Sequence, residues 1–279
     1  GATEAIKRAV AAGVDILIQP LDVPGAIDAV VDGVTEGRYT ETRVSESARR
    51  ILAMKHTLQL DRDRYANLDS LRATVGDSTH VALAQQAADR SITVVRNSQR
   101  VLPMRITPGM KLLSITVARR TDLAAGVDFN ATLAKLDPAM RSEFVNSDDP
   151  AVNYPRLESM ADSADVTIVS SYVGQSWNVT SVSAPQAFAD WLGKLVANGR
   201  KVIVVAFGNP YLLSQIPEVP VYVVAWDGAS VSQLSAARVI SGMSPASGHL
   251  PITIPPVAKR GDGLTLTPLS RISPIPRVP

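Results

Sequence analysis

Hydrophobic positions recur at two different periods along this chain, and the changes of period mark its elements. Ala5, Ile6, Ala9 and Val10 return at helical spacing, and the short apolar run Val14–Ile18 follows between Gly13 and Pro20. A run of that kind predicts a strand buried on both faces, as in parallel sheets. Gly13 stands where a helix C-terminal glycine belongs. Helical patterns resume over roughly Gly25–Glu36, closed by Gly37, and over Thr42–Leu58, which carries Val44, Ala48, Ile51, Leu52 and Leu58 on one side. Residues 1–60 therefore read as helix, strand, helix, helix. One strand makes no sheet, so this one is expected to pair with strands elsewhere in the chain or outside it.

Residues 61–77, "DRDRYANLDSLRATVGD", are charged, lack a long apolar period and read as a connection. A helix is predicted over about Ser78–Arg90. Strands are then predicted at Ile92–Val95, Leu112–Val117, Glu143–Val145 (weakly patterned), Val166–Ser170, Val202–Phe207 and Val221–Ala225. Helices are predicted at Asn130–Leu136, Tyr154–Ala161, Pro185–Ala197 and Ser230–Ile240. Strands alternating with helices imply parallel βαβ units and a doubly wound sheet. "SGHLPITIP" predicts one more short strand, which Pro251 and Pro255 confine to an edge. The Pro-, Thr- and Ser-rich tail 259–279 reads as a strap over the surface or a linker.

Composition narrows the classes. An apolar share of 46% with 19% charged residues is ordinary globular material. No apolar run approaches the roughly 20 residues of a membrane helix. Cysteine is absent, which excludes disulfides, thiolate metal sites and cysteine nucleophiles and fits either the cytoplasm or an exported, for instance periplasmic, bacterial protein. The net charge of +2 divides into +3 over residues 259–279 and −1 over the rest, so no basic face is implied and nucleic acid is not an expected partner.

Candidate chemistry is sparse. There is no GxGxxG and no GxxxxGK[ST], which argues against a nucleotide or dinucleotide cofactor, and no GxSxG elbow for a serine nucleophile. His56, His80 and His249 lie far apart without metal-ligand spacing and read as surface or capping residues, with no metal expected. Gln19 and Asp22 follow the first predicted strand at the end where parallel α/β folds bind ligands; Asp22 equally suits a helix cap, and that reading is preferred. "SSYVGQSWN" follows an apolar strand. Its Tyr172 and Trp177 suit stacking on a sugar ring, with Gln175, Ser176 and Asn178 as hydrogen-bonding partners for hydroxyls, or else packing at a domain interface. "FGNPYLL" and "AWDG" end the next two strands, so three loops are expected to converge on one edge. Asn130-Ala-Thr132 and Asn178-Val-Thr180 match the glycosylation sequon, a frequent chance match.

Six of these stretches, in order, resemble glycoside hydrolase family 3. "AVAAGVDILIQP" and the following segment through "SARRILAMKHTLQL" resemble the end of that family's catalytic barrel. "AQQAADRSITVVRNSQRVLPM", "KVIVVAFGNPYLL", "VVAWDG" and "SGHLPITIP" resemble its αβα domain. The resemblance implies an α/β chain: the terminal βα unit of a (β/α)8 barrel at 1–60, a linker at 61–77, and a doubly wound, mostly parallel αβα sandwich domain at 78–258, followed by the strap. It implies that Val14–Ile18 is the eighth barrel strand, and that the family's nucleophilic Asp precedes Gly1. The rest of the barrel would then lie on residues outside this chain, including a possible partner chain.

The resemblance implies retaining hydrolysis of a β-linked amino-sugar or glucan oligosaccharide, with no cofactor. β-Glucosidase-like members draw a Glu acid/base from the loop that corresponds to "TIVSSYVGQSWNVT"; here residues 166–189 contain no Asp or Glu. That favours the β-N-acetylhexosaminidase subgroup, whose His/Asp pair lies on a barrel loop, and predicts no catalytic residue in this chain. The rivals are a β-glucosidase or xylosidase with its acid/base elsewhere, and a non-catalytic support or glycan-binding module.

Overall fold

The computed structural model describes residues 1–174 and 184–269. They fall into two compact units, Gly1–Val75 and the residues from Gly76 onward.

The first unit is helical: α1 (Ala2–Ala11), α2 (Val23–Thr35), α3 (Glu41–Thr57) and the short α4 (Leu68–Thr74). Gly13 and Gly37, at φ of 101° and 72°, follow the ends of α1 and α2. Val10, Ala26 and Ala29 are buried with Tyr39, whose hydroxyl donates to the Val30 carbonyl at 3.1 Å. Polar contacts supply much of the remainder. Lys7, 7% exposed, donates to Glu36 at 2.5 Å, while Arg38 and Arg8 both hold Glu4. Residues 61–77, expected to be a plain connection, contain α4, which Asn67 caps by accepting from the Asp69 and Ser70 amides.

The strand expected at Val14–Ile18 is not formed. A strand exists through its ladder, and this segment has no ladder partner among the described residues. It is tied instead by Asp15, which accepts from Ser47 at 2.7 Å, Arg50 at 3.0 Å and Arg43 at 3.1 Å, all on α3. Ile18 and Leu21 remain 81% and 106% exposed.

The second unit is a three-layer α/β fold. After α5 (Ser78–Ser91) come β1 (Thr93–Asn97), β2 (Leu112–Ala118), α6 (Val127–Ala134), β3 (Arg141–Asn146) and α7 (Tyr154–Asp162). Then follow β4 (Val166–Ser171), α8 (Gln186–Ala197), β5 (Val202–Ala206), α9 (Leu212–Gln215), β6 (Val221–Val224) and α10 (Ser230–Ile240). The sheet order is β1-β6-β5-β4-β2-β3. All neighbours are parallel except β1, which runs antiparallel to β6. Every residue of β2, β4, β5 and β6 is buried, as expected for parallel strands covered on both faces.

The pleat sends alternate side chains to two cores. Leu113, Ile115, Val204, Tyr222 and Val224 meet α7, α8 and α9 through Leu157, Leu192 and Leu213. Ile168, Ile203, Val205 and Val223 meet α6 and α10 through Phe129, Leu133 and Ala236. α5 docks on α10 through Gln85 and Asp89, both hydrogen-bonded to Ser235.

The strand expected in "SGHLPITIP" is absent; within it only Ile254 forms an isolated bridge, with Ala258. Pro251 and Pro255 have no amide to donate, so no ladder can run through them. From the tail, Leu264 pairs with Val94 and Leu266 with Ala246. No helix among the described residues is long and apolar enough to cross a membrane.

Candidate functional site

The chain leaves β3, at one edge of the sheet, for β4, on the other side of β2, and β5 and β6 then follow outward. Strand order therefore reverses between β2 and β4, and a crevice opens beyond the carboxyl ends of parallel strands at such a point. A cleft of about 520 Å³ occupies this place. It is lined by Asp122 after β2, Tyr172 and Gly174 after β4, Phe207 to Tyr211 after β5, and Trp226 to Gly228 after β6. The three loops expected to converge on one edge do so, joined by a fourth.

Backbone hydrogen bonds carry the sheet into these loops. The Tyr172 amide donates to Val117 at 2.9 Å, Phe207 to Ser171 at 2.8 Å and Asn209 to Val173 at 3.0 Å. Two glycines permit the closeness. A Cβ on Gly208 would lie 2.5 Å from the Val173 carbonyl oxygen, and one on Gly228 would lie 3.1 Å from the Tyr172 ring.

Aromatic rings form the floor. Tyr172 stacks on Phe207 at 4.6 Å and 5°, and Phe207 meets Phe129 edge-on at 5.5 Å. Burial pushes the Tyr172 phenol up, against the pull of the Gly126 backbone, with Asp122 and Asp128 adding to the rise. Trp226 has φ of 71°, a conformation that costs a bulky residue on the order of 1–3 kcal/mol and persists only where the surroundings impose it. Its indole N–H donates to the Ser91 carbonyl at 2.8 Å, which helps to fix it. Asp227 accepts from the Ala229 amide at 2.5 Å, at the start of α10.

Gln233 fastens the rim from below. Its amide donates to Ala124 at 2.9 Å and Gly228 at 2.7 Å and accepts from the Phe129 amide at 3.2 Å. One buried side chain thus joins the loops after β2 and β6 to α6.

Of the residues singled out from sequence, Tyr172 lies in the cleft, half-buried on Phe207. Gln175, Ser176, Trp177 and Asn178 lie outside the described residues. Asp22 caps α2, accepting from the Gly25 amide at 3.1 Å. Gln19 is exposed in the first unit at φ of 51°. Asn130 of the first sequon is engaged inward: it accepts from Ser114 at 2.7 Å and donates to Thr116 at 3.2 Å, so its amide nitrogen is not presented for modification. The three histidines are exposed, and among the described residues no group of three or more potential ligands could hold a metal. Sequence reading passed over Asp122, Asp227 and Gln233. Asp122 and Asp227 had one visible signal, a carboxylate just past a buried strand; Gln233 had none.

Comparison with known proteins places this arrangement. Over 259 residues the chain is 23% identical to a protein of Cellulomonas fimi described as a beta-N-acetylglucosaminidase/beta-glucosidase, covering 90% of this chain and 46% of that one. The chain thus spans less than half the length of this relative. A family 3 beta-N-acetylglucosaminidase from Paenibacillus sp. str. FPU-7 superposes with a TM-score of 0.63 at 18% identity, covering 89% of this chain and 47% of that one. A beta-glucosidase from Listeria innocua in complex with isofagomine superposes with a TM-score of 0.61 at 19% identity, covering 91% and 38%. At these identities the likeness establishes the fold. Residues 57–269 match the model of the glycosyl hydrolase family 3 C-terminal domain, and the chain belongs to that family.

Proposed function

We propose that this chain is the C-terminal part of a retaining β-glycosidase that removes terminal β-linked N-acetylglucosamine. The observation that carries the reading is the stretch 166–189, which contains no carboxylate where glucosidase-like members of the family draw their proton donor. The Cellulomonas relative, whose description names both activities, supports a 2-acetamido substrate as one of the two. In a retaining mechanism one carboxylate attacks the anomeric carbon and an acid/base group first protonates the leaving oxygen, then activates water. Both groups are assigned to residues outside this chain. The apolar positions left open in the first unit, Ile18, Leu21, Ile27 and Val31 among them, support a role in completing a barrel with further polypeptide. The cleft beyond β4, β5 and β6 is assigned to the rim of the substrate site.

A second reading rests on Asp122 and Asp227, the two carboxylates lining the cleft. If either is the proton donor, the enzyme is of the glucosidase or xylosidase type. The test is kcat/KM of the complete protein on aryl glycosides with and without the 2-acetamido group. A preference of at least a hundredfold for the acetamido sugar is expected, and a preference for the glucoside overturns the first reading. The 279-residue chain by itself is expected to show no turnover of either.

A further inference from the structure

The lining of the cleft carries charge of one sign. Asp122 and Asp227 are both exposed on its walls, and among the described residues no Lys, Arg or His lines it. The nearest cations in sequence are turned elsewhere: Arg119 pairs with Asp148 at 3.6 Å, and Arg120 lines a separate groove beside β3 with Glu143 and Asp149. Of the other lining residues Tyr172, Phe207, Tyr211 and Trp226 are aromatic, beside Asn209, Pro210 and three glycines. Tyr172 and Phe207 stack on each other, so Tyr211, 45% exposed, offers the open ring, and ring faces attract positive charge through their quadrupole. A volume of about 520 Å³ lies within the range of small-ligand sites. Two carboxylates in a cleft with an open ring, and no cation among the described lining residues, favour a ligand that brings its own positive charge.

We propose that the cleft selects a sugar unit bearing a free, protonated amine over its N-acetylated and neutral counterparts. This rests on the cleft lying at the rim of a glycan site and adds a preference which that reading does not contain: the unit seated here is de-N-acetylated, whatever unit is cleaved. The ammonium sits between Asp122 and Asp227, and the apolar face of the sugar ring lies against the exposed Tyr211.

The test is calorimetric titration of the 279-residue chain at about pH 6, where such amines carry a proton. The probes are the β-1,4-linked glucosamine disaccharide, its fully N-acetylated form, cellobiose and Nα-acetyl-lysine amide. The glucosamine disaccharide is expected to bind at least tenfold more tightly than each of the others. Asp122→Asn and Asp227→Asn are each expected to weaken it at least fivefold, without changing near-ultraviolet circular dichroism. Asparagine keeps the oxygen that accepts from the Ala229 amide, so the Asp227 variant retains its turn. Equal or tighter binding of the N-acetylated or neutral sugar, no binding of the amino sugar, or unchanged affinity in both variants overturns the proposal. Equal binding of the lysine amide overturns it in favour of a peptide ligand. Hydrolysis by the complete protein is a separate readout: hydrolysis of the acetamido glycoside with no amine preference in the titration sinks this inference alone, and amine binding without hydrolysis sinks the enzymatic reading alone.

Discussion

The two units use the same local vocabulary to opposite ends. Both have amphipathic helices and apolar runs of similar length, yet only the second builds a core. In the first, only Val10, Ala26, Ala29 and Tyr39 among the described apolar residues are buried, and Ile18, Leu21, Ile27, Val31, Leu52 and Leu58 stay exposed. Ion pairs join its distant segments: Lys7 with Glu36, Arg38 with Glu4, and Arg43 and Arg50 with Asp15. In the second, both faces of a six-stranded sheet are covered, and Leu192, Leu195, Phe129 and Val204 are 0% exposed. Apolar pattern in sequence reports readiness to be buried; a facing surface decides whether burial happens. At about 25 cal/mol per Å² of apolar surface, and with exposed ion pairs worth at most about 1 kcal/mol each, the second unit is expected to be the more stable.

Truncation in the second core should have the largest effect. Phe207→Ala removes a ring packed between Tyr172 and Phe129 and is expected to cost about 3–5 kcal/mol in denaturant unfolding. A loss below about 1 kcal/mol would break the contrast between the units. Gln233→Leu should follow, at about 3 kcal/mol, because it leaves the Phe129 amide and two rim carbonyls without their partner. Faster hydrogen exchange at the Phe129 amide is the specific readout, since a mere packing defect would leave that amide protected.

Acid should act most on the first unit, where Glu4, Asp15 and Glu36 are lowered, against Asp77 and Glu143 in the second. Glu4, hydrogen-bonded first by Arg38 and then by Arg8, falls from 4.5 to about 2. Asp15 is lowered by Ser47 and Arg50, and Glu36 by Lys7. For a carboxyl depressed in the folded state the stabilisation is complete above its unfolded value and is lost as pH falls through the folded one. Amide protection in Gly1–Val75 should therefore decline between about pH 4.5 and 2, and earlier loss from the residues beyond Gly76 would reverse the comparison. Smaller still is Asp22→Ala, expected to cost about 1 kcal/mol through the lost cap of α2, seen as fraying at the Gly25 amide. Leu52→Asn, on an exposed position, should fall within about 0.5 kcal/mol and so mark the lower end of the scale.

How much could be read beforehand differs in the same way between the units. The buried strands of the sheet were legible because a strand covered on both faces is apolar at every position, as in "VIVVA" of β5. The edge strand β3, "RSEFVN", was barely legible because only one neighbour and part of one face constrain it. Val14–Ile18 has the composition of a strand and none of the pairing, because hydrogen-bonding partners are not written in the segment that needs them. In the cleft, the convergence of the loops after β4, β5 and β6 followed from strand alternation. Asp122 and Gln233 joined them only through the crossing of the chain at the switch between β2 and β4, and Trp226 at φ of 71° carries no local signal of its conformation.

By itself, then, the sequence determined the succession of helices and buried strands, the parallel sense of the sheet, the absence of cysteine chemistry and the kinship with family 3. It did so because those properties depend on residue type and spacing along one stretch of chain. Tertiary structure alone decided that β1 turns antiparallel to β6, that the proline-containing "SGHLPITIP" forms a single bridge instead of a strand, and that two aspartates far apart in sequence line one cleft. Each of those outcomes is a contact between distant segments, and its energy exists only once both are in place.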